Sequence, residues 1–282
     1  MYRFFIDHEQ LNNDYIEITG DDYNHIRNVL RMKIGEKVLL SDGSDKEYEA
    51  VITEYCENDA NTVNIPLHSG KNNLHNSKNN SDKKDIDKKN NYAGSVVRLK
   101  ITDVFGNNRE LPSKIILFQG YPKGDKMEQI VQKAVELGAY EVVPVMMHRC
   151  VVKLDDKKSA KKVERLNSIA ESAAKQSKRG IIPKVREVMN LEQSLEYAKG
   201  LECVIIPYES AEGMEYSRKV LAESAGKGSI GIFIGPEGGF ETSEIEKLKG
   251  IGGNIISLGH RILRTETAGM TVLSILMWLM EK

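Results

Sequence analysis

The chain has 282 residues, of which 40% are hydrophobic and 29% charged, and its formal net charge at pH 7 is −1. This length is enough for one large or two medium domains with buried cores, and the composition is ordinary for a globular protein. The absence of any stretch of about 20 apolar residues excludes a membrane-spanning helix. The near-zero net charge does not by itself indicate a nucleic-acid binder.

The amino-terminal residues and the cysteine positions predict the cellular compartment of the protein. The first ten residues, MYRFFIDHEQ, do not combine an apolar core with a small-residue cleavage site, so no export signal is visible. Cys56, Cys150 and Cys203 lie far apart, which argues against a disulfide framework and against a CxxC metal site. The six histidines show no spacing of metal ligands. We therefore expect a reducing, cytoplasmic environment and no bound metal.

Residues 1 to about 110 are predicted to form a small β-rich domain. Residues 37–41 and 48–53 flank the turn signal Asp42-Gly43, which is typical of a hairpin. Residues 96–105 are expected to form the last strand. One helix interrupts the strands, and its apolar face would consist of Tyr23, Ile26, Val29 and Leu30.

A polar tract divides this first domain. Residues 71–91 include seven Asn, six Lys and three Asp, and such a composition cannot bury enough apolar surface to offset its ordering entropy. We expect a flexible insertion, near residues 67–95, in a loop between two strands. Contact between its net positive charge and RNA is the less favoured alternative.

From Ser113 the pattern changes to strands that alternate with helices, which indicates a mostly parallel sheet covered by helices on both faces. The strands are expected at residues 115–118, 141–147, 203–206, 230–234 and 254–258. The helices are expected after Asp125, over residues 159–178, 191–199 and 215–225, after residue 241, and at the carboxyl end, where residues 268–280 are predicted to be a buried helix.

Residues 230–240, IGIFIGPEGGF, combine a short apolar strand with a turn rich in glycine. Thr242 or Ser243 can begin the helix that follows. A loop at the carboxyl end of a strand is where α/β proteins bind small ligands. A phosphate fits poorly because Pro236 lacks an N–H and Glu237 adds a negative charge. A neutral or cationic ligand suits this loop better.

Residues 257–273, SLGHRILRTETAGMTVL, form a second strand, loop and helix, in which Thr265 or Thr267 can cap the helix. Together, GPEGGF and LGHRILRTETA resemble the SPOUT RNA methyltransferases, most closely the bacterial 16S ribosomal RNA (uracil-N3)-methyltransferase family. The resemblance extends to Lys126-Met127-Glu128, to QKAVELG at 132–138, to Arg149-Cys150-Val151, to residues 171–179 and to HIRNVLR at 25–31.

This resemblance implies a fold, a cofactor and an assembly. The implied fold is α/β, with a SPOUT domain over residues 113–282 that contains a trefoil knot and a parallel sheet, after a PUA-like RNA-binding domain over residues 1–110. The implied cofactor is S-adenosylmethionine, which has no phosphate and a cationic sulfonium, so GPEGGF is compatible with it. The implied activity is methylation of N3 of a specific uridine in 16S ribosomal RNA, within the small ribosomal subunit, by a homodimer.

The two loops contain the candidate site residues. Arg264 is the first candidate for stabilising negative charge on the uracil carbonyls, because its guanidinium is permanently charged and forked. The alternative is a structural ion pair with Glu266, which is itself a candidate proton acceptor or a partner of the helix dipole. The residues expected to hold the cofactor are Gly235, Pro236, Glu237, Gly238, Gly239, Leu258, Gly259, Ile262 and Leu263. Core packing alone would also explain the three apolar members.

Residues 148–179 form a local basic segment, with ten Lys or Arg against four acids. This segment is either a solvated helix face or a surface that faces a polyanion. The candidates for contact with RNA phosphates are Arg27, Arg31, Lys123, Lys126, Arg149, Lys175, Gln176 and Arg179.

Three other functions fit parts of the sequence. A non-catalytic RNA-binding protein could use the same two domains, although the complete LRTETA stretch argues against it. A nucleotide-dependent enzyme unrelated to RNA is disfavoured because no phosphate-binding fingerprint is present. A SPOUT methyltransferase that modifies another RNA position is the third alternative.

Overall fold

The structure is a computed structural model that describes residues 1–43, 46–56, 94–106, 109–152, 156–209 and 213–281. The chain divides into two compact units, Met1–Asn107 and Asn108–Lys282. The polar tract at residues 71–91 lies outside the described residues, so its predicted role as a flexible insertion stays a prediction.

The first unit is built on one mixed sheet. Its strands are β1 (Tyr2–Phe5), β2 (Leu11–Asn12), β3 (Tyr15–Ile18), β4 (Lys37–Ser41), β5 (Lys46–Cys56) and β6 (Val96–Gly106). They lie in the order β1-β4-β5-β6-β3-β2, and β1 pairs with β4 in parallel whereas the other neighbours are antiparallel. The β4–β5 pair is the predicted hairpin, and β6 is the predicted last strand.

The helix of the first unit is short and irregular. The α-helix α1 spans Gly20–Asn24, and a π-helical turn continues it over His25–Val29. Tyr23 and Ile26 are buried as expected, but 64% of Val29 is exposed. The prediction that Val29 shares the buried face is therefore wrong, because the wider π-turn changes the angular spacing of the side chains.

The second unit alternates strands with helices. Its strands are β7 (Lys114–Gly120), β8 (Glu141–Met146), β9 (Lys184–Val185), β10 (Met189–Asn190), β11 (Cys203–Pro207), β12 (Ser229–Ile234) and β13 (Asn254–Ile256). Its helices are α2 (Lys126–Glu136), α3 (Asp156–Ser177), α4 (Leu191–Ala198), α5 (Met214–Ser224), α6 (Thr242–Gly250) and α7 (Thr265–Met280). Every strand pair is parallel, in the order β10-β8-β7-β12-β11-β13, with β9 beside β8.

The core of the second unit lies between its sheet and the covering helices. Helix α7 packs on β7 and β12 and against α2, while α4 packs on β8 and against α6. In the middle of the sheet the rings of Phe118 and Phe233 stack with their centroids 4.3 Å apart. The predicted α/β fold, with a parallel sheet after a β-rich domain, is confirmed. The trefoil knot stays a prediction.

Two helix starts differ in detail from the expected caps. Helix α6 begins at Thr242, but its cap is Glu241, whose N–H donates to the Glu244 carboxylate at 2.8 Å. Helix α7 has Arg264 as its N-cap residue, so neither Thr265 nor Thr267 caps it.

Helix α7 is only half buried. Val272, Leu273 and Leu276 are fully enclosed, whereas 76% of Trp278 is exposed. The predicted buried helix thus has a second, exposed face. None of the helices among the described residues combines the length and apolar character needed to cross a membrane.

Candidate active site

A cavity of about 680 Å³ opens where β7, β11, β12 and β13 end. Parallel strands bring their carboxyl ends to one edge of the sheet, so the four following loops meet there. All nine residues predicted to hold a cofactor line this cavity: Gly235, Pro236, Glu237, Gly238, Gly239, Leu258, Gly259, Ile262 and Leu263. The structure therefore brings the two glycine loops together around one space.

Thr265 joins the two loops at the floor of the cavity. Its hydroxyl donates to the carbonyl oxygen of Gly235 at 2.6 Å and accepts from the Gln119 side-chain amide at 2.8 Å. Gln119 is fully buried and its amide also donates to the Gly120 carbonyl at 3.1 Å. The ends of β7 and β12 and the start of α7 are thereby fixed to one another.

Two glycines are required by the backbone geometry around the cavity. A Cβ on Gly120 would lie 2.6 Å from the backbone nitrogen of Pro236, so only glycine allows β7 to approach the GPEGGF loop. Gly259 has a φ of +114°, a conformation that side-chain-bearing residues rarely adopt. Neither Gly120 nor the Thr265 and Gln119 bonds were identified from the sequence.

Lys126 lies between one residue from each loop. Its ammonium is 2.9 Å from the Glu237 carboxylate and 3.6 Å from that of Glu266. The hydrogen bond to Glu237 raises the pKa of Lys126. Burial alone would raise the pKa of Glu237, but hydrogen bonds from Lys126 and from backbone N–H groups, including that of Lys123, lower it on balance. Glu237 is therefore an ionised partner of Lys126.

The loop after β8 is attached to the GPEGGF loop and to the start of α6. The Arg149 guanidinium donates to the Gly238 carbonyl at 2.9 Å. The N–H of His148 donates to the Glu244 carboxylate at 2.9 Å, and its imidazole lies 3.0 Å from Glu241. These contacts hold the outer wall of the cavity.

Arg264 and Glu266 have different surroundings. Arg264 lines the cavity and is exposed, and its guanidinium makes no hydrogen bond or ion pair with any described residue. Glu266 is not among the residues that line the cavity; its side chain is 15% exposed and lies beside Lys126. The predicted alternative of an Arg264–Glu266 ion pair is therefore wrong.

Two models of known protein families match the chain. Residues 109–277 match an RNA methyltransferase domain, and residues 18–55 match an RNA methyltransferase PUA domain. The chain belongs to this RNA methyltransferase family. The match to the second model agrees with the PUA-like character expected of the first unit.

Individual relatives of this RNA methyltransferase cover nearly its full length. Ribosomal RNA small subunit methyltransferase E of Bacillus subtilis is 35% identical over 97% of this chain and 95% of its own. The same-named protein of Neisseria gonorrhoeae, solved bound to S-adenosylmethionine, is 25% identical with a TM-score of 0.73, and 99% and 98% of the two chains are covered. A Legionella pneumophila protein, solved with the same cofactor, is 31% identical with a TM-score of 0.71, over 97% and 96%.

The residues predicted to contact RNA have different surroundings in this methyltransferase. Lys123, Lys126 and Arg149 line the cavity, although Lys126 is paired with carboxylates. Lys175 forms an ion pair with Glu171 at 2.9 Å, and its neighbour in the sequence, Gln176, is exposed. In the first unit Arg27 and Arg31 are exposed, and the Arg27 guanidinium lies 4.5 Å from the centroid of the Tyr55 ring.

The prediction that Arg179 contacts RNA is wrong. Only 4% of the residue is exposed. Its guanidinium binds the Glu110 carboxylate, with contacts from 2.5 to 3.0 Å, and the carbonyl oxygens of Val135 and Ala139 at 2.7 and 3.1 Å. Because these bonds use the guanidinium inside the second unit, it is not available to a phosphate.

Sequence reasoning missed the contribution of β11 to the cavity. Pro207, Tyr208 and Glu209, which end or follow this strand, line it together with Arg261. The Glu209 carboxylate has no hydrogen bond or ion pair with any residue that the structure describes. The signal available in the sequence was the position of these residues directly after a predicted strand.

Proposed function

We propose that this protein transfers a methyl group from S-adenosylmethionine to N3 of a specific uridine in 16S ribosomal RNA. The observation that carries the proposal is a cavity built from two glycine loops in which Arg264 has an unpaired guanidinium. The relatives named as small-subunit methyltransferases, and those solved with S-adenosylmethionine, support it.

The residues of the cavity fit this cofactor. A volume of about 680 Å³ lies within the range of about 300–1,000 Å³ for small-molecule sites. Leu258, Ile262 and Leu263 offer apolar surface for an adenine ring, and the glycine backbone allows close approach. The unpaired carboxylate of Glu209 suits a cationic ligand. When bound, S-adenosylmethionine would supply a methyl group activated by its sulfonium.

The chain itself must favour the imide anion of uracil and hold N3 in position. The guanidinium of Arg264 would stabilise the negative charge on the carbonyl oxygens as N3 loses its proton. Holding the nitrogen in line with the methyl group supplies much of the remaining acceleration. The position of Glu266 beside Lys126, outside the cavity lining, favours a structural ion pair over the role of proton acceptor.

The proposal also includes the form of the substrate and the compartment in which the reaction takes place. The substrate is 16S ribosomal RNA within the small ribosomal subunit, and the enzyme works in the cytoplasm, where that RNA is made. The transfer requires no metal in this proposal; the described residues contain no group of three or more His, Cys, Asp or Glu that could hold a metal ion.

We also propose that the protein is a homodimer. The exposed face of α7 includes Trp278, 76% exposed, and Leu279, 37% exposed. A second copy of the chain would cover this apolar surface, as exposed patches of this kind often mark interfaces. Light scattering at micromolar concentration tests the assembly: the proposed mass is that of two chains, and Trp278→Glu should give a single chain.

Two measurements test the activity. Mass spectrometry of ribosomal RNA from a strain without the protein should show the loss of one N3-methyluridine. The loss of a different methylated nucleotide would assign another RNA position. Calorimetry with S-adenosylmethionine separates the enzyme from a non-catalytic RNA-binding protein, since the latter would give no binding heat and no change in the modification pattern.

A further inference from the structure

The first half of α3 carries a strongly cationic surface that the proposed chemistry does not use. Five of the ten residues at positions 157–166 are Lys or Arg, and Glu164 is the acid among them. The opposite side of the helix, which includes Leu166 and Ala170, is buried against the second unit. The cationic side chains therefore face away from the core.

Lys157, Lys161 and Lys162 are not paired with a carboxylate of any residue that the structure describes. Arg165 pairs with Glu128 at 2.8 Å. The ammonium groups of Lys157 and Lys161 form no hydrogen bond or ion pair within the part of the chain that the structure describes. Lys162 lies 5.5 Å from the centroid of the Tyr121 ring, a contact that orients its ammonium without cancelling the charge.

Lys162 connects this surface with the cavity. Tyr121 directly follows β7, and its N–H donates to the Val145 carbonyl at 2.9 Å, so the ring is fixed in place. Two residues further on, Lys123 is exposed and lines the cavity. Residues 121–123 therefore link Lys162 on α3, which lies over the Tyr121 ring, to Lys123 at the rim of the cavity. Over Lys157–Lys162 the helix advances by about 8 Å.

We infer that Lys157, Lys161 and Lys162, the α3 basic face, bind backbone phosphates of the RNA next to the target nucleotide, together with Lys123 at the rim of the cavity. The inference rests on the proposed function, because it requires the target base to enter the cavity. Lysine binds phosphate as a mobile point charge, so these contacts position the RNA without reading its sequence. The α3 basic face lies in the first half of the helix, whereas the sequence indicated Lys175, Gln176 and Arg179 at and just after its end.

A double substitution with a matched control tests the α3 basic face. Lys161→Gln with Lys162→Gln removes two exposed charges, and Lys219→Gln with Lys227→Gln removes two exposed charges elsewhere on the second unit. Binding to a 16S ribosomal RNA transcript is measured over a series of salt concentrations. For two lost phosphate contacts on single-stranded RNA, the slope of log affinity against log salt should fall by about 1.4. The control pair should keep the wild-type slope.

Three further readouts separate the possible failures. The affinity for S-adenosylmethionine, the melting temperature and the single-turnover rate at saturating RNA should match the wild type in the α3 variant. If the α3 variant keeps the wild-type slope of log affinity against log salt, the inference is overturned. If it keeps that slope but binds assembled subunits more weakly, the α3 basic face contacts a ribosomal protein instead. The proposed function would instead be contradicted if the wild-type protein bound RNA but transferred no methyl group. In that case the salt slopes of the variants would still test whether the α3 basic face binds RNA.

Discussion

The hydroxyl of Thr265 donates a 2.6 Å hydrogen bond to the carbonyl oxygen of Gly235. This bond joins the first residue of α7 to the first residue of the GPEGGF loop, which lie 30 positions apart. The same hydroxyl accepts from Gln119 at the end of β7. One side chain therefore fixes the relative positions of three segments that surround the cavity.

Replacement of Thr265 by valine should weaken cofactor binding and destabilise the fold. Valine has nearly the same shape but leaves the Gly235 carbonyl without this donor and removes one of the two acceptors of the Gln119 amide, which costs about 1–3 kcal/mol per buried group. Calorimetry with S-adenosylmethionine and chemical denaturation measure the two effects. Thr265→Ser keeps the hydroxyl and should stay near the wild type. Equal behaviour of the two variants would show that the hydrogen bonds do not fix the loops.

Arg264 should affect methyl transfer far more than cofactor binding. Removal of one charge-stabilising donor commonly lowers turnover by about a hundred- to a thousandfold. Arg264→Ala removes both the positive charge and the planar, bidentate set of N–H donors, whereas Arg264→Lys keeps only the positive charge. The paired measurements are calorimetry with the cofactor and single-turnover methylation as the pH approaches the pKa of uracil N3. Partial recovery of the alanine variant at high pH supports the role. Loss of cofactor binding in this variant would make the residue structural.

The Glu237–Lys126 pair should make stability depend on pH. The folded pKa of Glu237 lies below its ordinary value of 4.5, so the ionised carboxylate stabilises the fold above that pH. This contribution is lost as the pH falls through the lowered pKa. The free energy of unfolding of Glu237→Gln should therefore lie below that of the wild type near pH 7, and the gap should close below about pH 4.5.

A surface pair provides the control for this pH dependence. Glu246 and Lys249 are 3.0 Å apart with side chains 62% and 51% exposed, and such pairs contribute little. Glu246→Gln should follow the wild-type curve at every pH. A Glu237→Gln gap that persists unchanged at low pH would mean that the amide disturbs packing instead of removing an ion pair.

The Arg179→Gln substitution should lower the free energy of unfolding of the second unit without a direct effect on RNA binding. The side chains of Arg179 and Glu110 are 5% and 24% exposed, so the substitution leaves a partly buried carboxylate and two buried carbonyl oxygens without this donor, at a cost of about 1–3 kcal/mol per buried group. Denaturation curves measure the loss, and the exposed Gln176→Ala should change the free energy of unfolding by less than about 0.5 kcal/mol. A stable Arg179→Gln protein with a flattened salt dependence of RNA binding would contradict this assignment.

Local patterns in the sequence predict the main strands and helices of the second unit and its two glycine loops, but not the two-residue strands β9 and β10. Continuous apolar runs such as residues 230–234 form central strands because both faces of a parallel sheet are buried. Gly259 and Pro236 indicate loops because glycine allows backbone conformations that other residues rarely adopt, and proline lacks the N–H that a regular element needs. These are local properties, so the hairpin β4–β5 and helices α2 to α7 lie close to the predicted positions.

Which side chains meet depends on contacts between residues that are far apart in the chain. Gln119 and Thr265 are 146 residues apart, Lys126 and Glu237 are 111 apart, and Arg179 and Glu110 are 69 apart. Local sequence does not show whether an arginine in a basic segment, such as Arg179, contacts solvent or a carboxylate inside the fold, because burial depends on distant parts of the chain. The pairing of β12 with β7 brings the GPEGGF loop, with Glu237, next to Lys126. Such long-range packing made the predicted RNA-binding Arg179 part of an internal ion pair and made Thr265, predicted as a possible helix cap, the residue that joins the two loops.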